Sequence, residues 1–213
     1  PTAGIRPAGP AIRHHSIVSD AFASEVSAVI SIGRFGLGRH LRRLCEHAPL
    51  HMTFAVEGRG ADPYGTAGET LPLSSLAAAL SSQAPAQGDW LSAWLAADDD
   101  AECWIAEKLA SWTQQPTGAH VAAEVLRAAR NCNGTVFAAA SRAIRDVDLV
   151  TLHSGPNITA NLGVNGIDGL VSTAVGVART SETHTFALLG DLAFLHGSNG
   201  LLIPKDERCA IAR

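Results

Sequence analysis

Phe186-Ala187-Leu188-Leu189-Gly190-Asp191 is a short apolar run that closes on a glycine and a carboxylate. Four apolar residues bounded by turn formers read as a buried strand. An acidic side chain at the carboxyl end of such a strand, with glycine beside it so that a phosphate can approach, suits a Mg²⁺-diphosphate site. For an isolated Gly-Asp pair, capping of the following helix is the plainer reading. A second cluster lies upstream, Gly163-Val-Asn-Gly166-Ile-Asp-Gly169, in which Ile167 sits among glycines. An apolar side chain in a glycine-rich loop is either the anchor of a turn or a surface on which a cofactor ring packs.

Working outward, the same alternation recurs. Residues 25–32 read as a buried parallel strand, followed by Gly33-Arg-Phe-Gly36-Leu-Gly38 and an amphipathic stretch over 39–47. The glycines fall as GxxGxG, which is not the dinucleotide fingerprint. A strand is expected over 51–56, a loop over 58–68, and helix over 73–80 and 89–112. Trp90, Trp94, Trp104 and Trp112 recur near helical spacing and read as packing residues. Asp98-Asp99-Asp100 reads as a solvated break rather than a metal site, because adjacent side chains diverge. Thr117 suits an N-cap for a helix over 120–130. Strands follow over 135–139 and 186–189, with a weaker one over 151–153; Ser141 opens a loop, a small-residue helix spans 168–180, and another helix starts at Asp191. Strands alternating with helices imply an α/β fold of parallel sheets with flanking helices, the ligand lying at the strands' carboxyl ends.

The bulk properties are consistent with this. The 213 residues are 46% apolar, enough for one large or two small cores. A formal charge of −4 gives no broad basic field for nucleic acid, although Arg34, Arg39, Arg42 and Arg43 form a local cluster. Cys45, Cys103, Cys132 and Cys209 show no CxxC spacing, so neither zinc nor a disulfide framework is implied. No apolar stretch reaches the roughly twenty residues that span a bilayer, and the start of the chain lacks a signal-peptide apolar region. The expectation is a cytoplasmic protein with reduced thiols. Residues 1–19, with Pro1, Pro7, Gly9 and Pro10, read as a linker or arm, 20–115 as a central Rossmann-like α/β domain, and 116–213 as a second α/β domain.

Asn161-Leu-Gly-Val-Asn-Gly-Ile-Asp-Gly-Leu-Val-Ser-Thr-Ala-Val-Gly-Val177, followed by Leu189-Gly-Asp-Leu-Ala-Phe-Leu-His196 and Asn199-Gly-Leu-Leu202, resembles the thiamine-diphosphate domain of the MenD family. These are the 2-succinyl-5-enolpyruvyl-6-hydroxy-3-cyclohexene-1-carboxylate synthases of menaquinone biosynthesis. Ala140-Ser-Arg-Ala-Ile-Arg-Asp146 is similar to the family's substrate loop, and residues 26–47 resemble its central domain. The resemblance implies that Asp191 ligates Mg²⁺ while Gly190 and Leu192 line the diphosphate. It implies that Ile167 supports thiamine diphosphate in its bent form, and that Ser141 and Arg145 contact an anionic substrate, where a guanidinium suits a carboxylate. Read without the family, Arg145 beside Asp146 is a surface ion pair. The implied reaction decarboxylates 2-oxoglutarate on the thiazolium ylid and adds the carbanion to isochorismate, in a homo-oligomer.

This chain departs from the family pattern at Leu162, where family members carry arginine, and at Gly197, where an acidic residue is common. The resemblance fades after Ile203, and the family's pyrimidine-binding domain and second metal ligand have no counterpart in these residues. The expectation is therefore part of a thiamine-diphosphate-binding domain, with weak or no activity in this chain alone. Two alternatives stay open: another thiamine-diphosphate decarboxylase or carboligase, and a noncatalytic remnant that acts as an interaction module.

Overall fold

A computed structural model describes residues 10–33, 38–56, 61–81, 88–111, 115–150, 155–161 and 165–203. The expected strand at 151–153, Trp112, and Leu162 and Gly163 lie outside them. Among the described positions the chain divides into two compact units, residues 10–103 and 104–203, with the boundary inside one long helix.

The first unit contains α1 (His15–Phe22), β1 (Ala28–Ile32), α2 (Arg39–His47), β2 (Leu50–Ala55), β3 (Glu69–Pro72), a 3-10 turn at Leu73–Ser75, α3 (Leu76–Ser81) and the first part of α4 (Trp90–Ser111). Its sheet is wholly parallel in the order β1-β2-β3, with Ile32 opposite Phe54 and Phe54 opposite Leu71. The sequence pattern does not announce β3, because Glu69-Thr-Leu-Pro72 is too short and too polar for a clear period. Phe22 stacks on Trp94, with ring centroids 4.5 Å apart, and meets Trp90 edge-on. The packing role that the spacing implies holds for the half-buried Trp94, whereas Trp90 and Trp104 are exposed, Trp104 with the Lys108 ammonium over its ring.

Two expectations fail together here. Asp98, Asp99 and Asp100 do not break the helix, which runs through them, and within the expected arm residues 15–19 are helical. Asp98 is only 1% exposed and accepts hydrogen bonds from the backbone N–H groups of Arg13 and His14 and from Arg13 Nε, at 2.7 to 3.0 Å. The Arg13 guanidinium also pairs with Asp99 and Glu102. The carboxylates diverge along the helix, yet one planar guanidinium is wide enough to reach all three. Anchored in this way, the chain enters α1 immediately afterwards.

A second polar network crosses the sheet. Ser31 Oγ lies 3.0 Å from His51 Nε2 and 2.7 Å from Thr53 Oγ1, all three buried, and His51 Nδ1 meets Thr66 Oγ1 at 3.0 Å. Asp62 accepts from the backbone of Tyr64 and Ala67, closing the loop that leads into β3. Cys45, Cys103 and Cys132 are free thiols, and burial pushes Cys45 up to about 11.

The second unit continues from α4 through α5 (Gly118–Asn131), β4 (Thr135–Ala138), α6 (Arg142–Leu149), β5 (Asn157–Thr159), α7 (Leu170–Thr180), β6 (Thr185–Leu188), α8 (Asp191–His196) and a 3-10 turn at Ser198–Leu201. This sheet is also parallel, in the order β5-β4-β6, with β4 central and its last three residues fully buried. Thr117 is the N-cap of α5, and its N–H donates to Nδ1 of His120, whose Nε2–H in turn donates to the Leu109 carbonyl. Ala119, Ala122, Leu126 and Ala129 form the buried stripe of α5 at helical spacing. Ser141 opens a helix, not a loop: α6 is short, and β5 is only three residues long, so neither carries a strong periodic signal. No helix among the described residues is long and apolar enough to cross a membrane.

Burial would push the Asp98 carboxyl up, but its two backbone donors and the Arg13 guanidinium outweigh that and hold it below the usual carboxylate range. A lowered folded-state value means a contribution present above the unfolded value, near 3.9, and lost as the pH falls through the folded one. Asp98→Asn should therefore destabilise the first unit by about 3–5 kcal/mol at pH 7 and flatten its loss of stability below about pH 4. Urea unfolding followed by the fluorescence of Trp90 and Trp94 measures both.

Candidate functional site

The adjacent strands β4 and β6 end side by side. Their register runs from Thr135 opposite Thr185 to Ala138 opposite Leu188, and the Ala139 N–H extends it by donating to the Leu188 carbonyl at 2.9 Å. Beyond that bond one chain turns through Ala140 and Ser141 into α6, and the other through Leu189 and Gly190 into α8. In open parallel sheets this carboxyl edge is where ligands bind.

An apolar cluster lies under the edge. Phe137, Ala139, Ala140, Ala143, Leu170, Ala174 and Ala193 are its buried members, and Ile167, Val177, Leu188 and Leu189 pack against it. Ile167 is thus half-buried, with its loop anchored by core contact. The same cluster includes Leu188 and Leu189 before Gly190-Asp191 and Ala193 after it. Ser141 is flanked by two cluster members, Ala140 and Ala143. Arg145, one turn further along α6, projects from the exposed side.

Asp191 is the first residue of α8 and is exposed, as is Leu192, while Gly190 is the N-cap in extended conformation. A Cβ placed on Gly190 would meet nothing within 4 Å among the described residues, and its φ of −73° suits any residue. Neither packing nor backbone geometry therefore calls for glycine at this position. Gly169 differs: as N-cap of α7 it has a left-handed φ of 69°, which favours glycine.

Ser141 is the strained point. Its φ of 70° and ψ of −122° fall in a region that costs an L residue about 1–3 kcal/mol. The residues two before and two after it, Ala139 and Ala143, are small and buried, so the turn is tight and leaves the serine exposed at the strand end. A strained serine between a strand and a helix is a recurrent way to present a hydroxyl to a ligand.

The expected Arg145–Asp146 ion pair is replaced by another. Asp146 is buried and accepts from Arg142 Nε at 2.8 Å, an i,i+4 pair on one helix face, and its Oδ2 fills the space beside Gly118 where a Cβ would stand. Among the described residues, no carboxylate pairs with Arg145.

Sequence reading missed one contact. His196 Nε2 donates to Asp168 Oδ1 at 2.8 Å, joining the last turn of α8 to the loop that carries Ile167. Both residues lie inside the motifs already quoted, but nothing in a linear pattern pairs them. That bond and the charge of His196 hold the Asp168 carboxyl below its usual range. Among the described residues, no group of three or more His, Cys, Asp or Glu side chains could hold a metal ion. An apolar groove between α5 and β6, lined by Pro116, Val121, Val125 and Phe186, involves none of the expected site residues.

No protein-family model matches the chain. It is similar in sequence to curated proteins named 2-succinyl-5-enolpyruvyl-6-hydroxy-3-cyclohexene-1-carboxylate synthase, from several bacteria. The relative from Nocardia farcinica is 43% identical over 120 residues, which is 56% of this chain and 22% of that protein. That from Thermobifida fusca is 37% identical over 193 residues, 87% of this chain and 33% of that protein. That from Renibacterium salmoninarum is 30% identical over 211 residues, 94% of this chain and 35% of that protein. The chain spans about a third or less of the length of these relatives.

The strain at Ser141 gives a direct expectation. Ser141→Gly should raise the stability of the second unit by about 1 kcal/mol, because glycine tolerates this backbone region. Ser141→Ala, which removes the hydroxyl and keeps the strain, should not. Thermal or chemical unfolding of the two variants side by side decides it.

Proposed function

We propose that this chain is part of a MenD-like synthase, its first unit belonging to the central α/β domain and its second to part of the thiamine-diphosphate-binding domain, with the boundary at 103/104 rather than at the expected 115/116. The observation that carries the reading is the shared cluster: the turn bearing Asp191 and the loop bearing Ile167 rest on one apolar floor at the carboxyl edge of β4 and β6. The unexplained glycine at 190 adds to it, since close approach of a phosphate supplies the missing reason for a residue without a side chain.

The residues present fit a Mg²⁺-diphosphate group. Magnesium is commonly held by one or two carboxylates together with phosphate oxygens and water, and Asp191 is one exposed carboxylate at a glycine turn. Asp191 would ligate the metal, and Gly190 and Leu192 would border the diphosphate. Ile167 would give the cofactor an apolar support that is itself held by Leu188, Leu189 and the buried alanines. When bound, thiamine diphosphate supplies an electron sink for decarboxylation and carbon–carbon bond formation. Ser141 and Arg145 would orient the carboxylates of 2-oxoglutarate and isochorismate, the hydroxyl by donating and the guanidinium by pairing with two oxygens at once. The family's homo-oligomeric state and a cytoplasmic location belong to the same proposal.

One carboxylate is a thin metal site, and the chain spans about a third of its relatives, so weak cofactor binding and little or no turnover are expected of it alone. Calorimetric titration with thiamine diphosphate and Mg²⁺ should give a dissociation constant in the millimolar range, about −4 kcal/mol, and none after Asp191→Ala. Micromolar affinity, or binding that survives Asp191→Ala, counts against the proposal. Carbon dioxide release above background from pyruvate in preference to 2-oxoglutarate would point instead to another carboligase.

A further inference from the structure

The helix that begins with Asp191 has little to hold it. α8 is six residues long, too short to persist without tertiary contacts, and of its side chains only Ala193 is buried; Leu192, Phe194 and Leu195 face outward. Its other ties are at its far end. A Cβ on Gly197 would stand 3.0 Å from a methyl of Val171, and one on Gly200 would strike Ser172 Oγ at 2.7 Å, so the chain leaving α8 lies directly on the first turn of α7. The hydrogen bond from His196 to Asp168 closes this corner, across 28 residues of sequence, onto the loop just before α7.

We propose that His196 is a positioning residue, which through Asp168 pins the loop carrying Ile167 to the helix headed by Asp191 so that the two open and close as one body. What that body is for rests on the cofactor site proposed above; its existence does not. The placement is favourable on both sides. A histidine in the last turn of a helix faces the partial negative charge of the terminal carbonyls. Asp168 stands before the N-cap of α7, where a carboxylate faces the opposite end of a helix dipole. Because both side chains are well exposed, the pair adds little to global stability. Its effect belongs to local opening, which proceeds independently of global unfolding.

Hydrogen exchange on the full 213-residue chain reads this directly. In His196→Ala and in Asp168→Ala, amides of 165–173 and of 192–197 should exchange faster together, by roughly twofold to fivefold, with the global unfolding midpoint unchanged. The double variant should show no further increase, because one interaction has been removed twice. His196→Gln, whose amide can still donate to Asp168, should restore most of the protection. Faster exchange confined to the mutated segment, additive effects in the double variant, or no change at all would overturn the proposal. Thiamine diphosphate with Mg²⁺ added to the parent reads the cofactor site separately: no added protection at these amides refutes that site and leaves the exchange comparison between variants intact.

Discussion

The parallel pairing of β4 with β6 is the constraint on which the second unit depends. It brings together strands that are far apart in sequence, and one glycine permits the approach: a Cβ on Gly134 would stand 2.7 Å from the His184 carbonyl oxygen and 3.1 Å from the Phe186 ring. The register then decides everything downstream. A slip by one residue would turn Val136 and Phe137 to the wrong faces and separate the heights at which the two chains leave the sheet. In the register observed, the Ala139 N–H bonds the Leu188 carbonyl, so the Ser141 turn and the Asp191 turn start from neighbouring points on one edge. Fully burying a side chain such as Phe137 contributes about 1.5–3 kcal/mol, and the same contact fixes the floor on which Ile167 sits.

The first unit is held by a different balance. Its sheet turns Ser31, His51 and Thr53 inward, and its entry segment is tied to α4 through a buried carboxylate with three donors. Such groups contribute little net energy compared with apolar packing, but leaving any one of them unpaired is costly. Alternative placements of the chain before α1, or of the loop over 61–68, would strand Asp98 or His51 without partners. The polar groups thus select one arrangement among several that bury similar apolar area.

What the sequence disclosed, and what it hid, follows from the range over which each signal acts. Strands β1, β2, β4 and β6 and helices α4, α5 and α7 were legible because apolar periodicity is local. The short elements β3, β5 and α6 were not, since three to eight residues give too few periods. Asp98-Asp99-Asp100 misled for a sharper reason: three acids in a row signal exposure unless a cation arrives from elsewhere, and Arg13 arrives from 85 residues away. At the candidate site the Gly190-Asp191 handover was legible as strand, turn and helix. The clustering of Ile167 with Leu188, Leu189 and Ala193, and the His196–Asp168 bond, are properties of packing that no linear motif encodes.

The two arginines of α6 show how packing sorts residues of identical chemistry. Arg142 and Asp146 are four apart, on the face that meets α5, where the carboxylate occupies the space left by Gly118 at the first turn of that helix. A helix N-terminus favours a carboxylate, and the largely exposed Arg142 adds one bond to it from its Nε. Arg145 is one residue from Asp146 in sequence but about 100° away around the helix axis, and it stays exposed. Arg142 has its Nε engaged by Asp146, whereas the guanidinium of Arg145, which pairs with no carboxylate among the described residues, can offer both its parallel donors. On the proposed reading, a carboxylate reaching α6 would meet a full guanidinium fork at 145, whereas the Nε of 142 is already shared with Asp146.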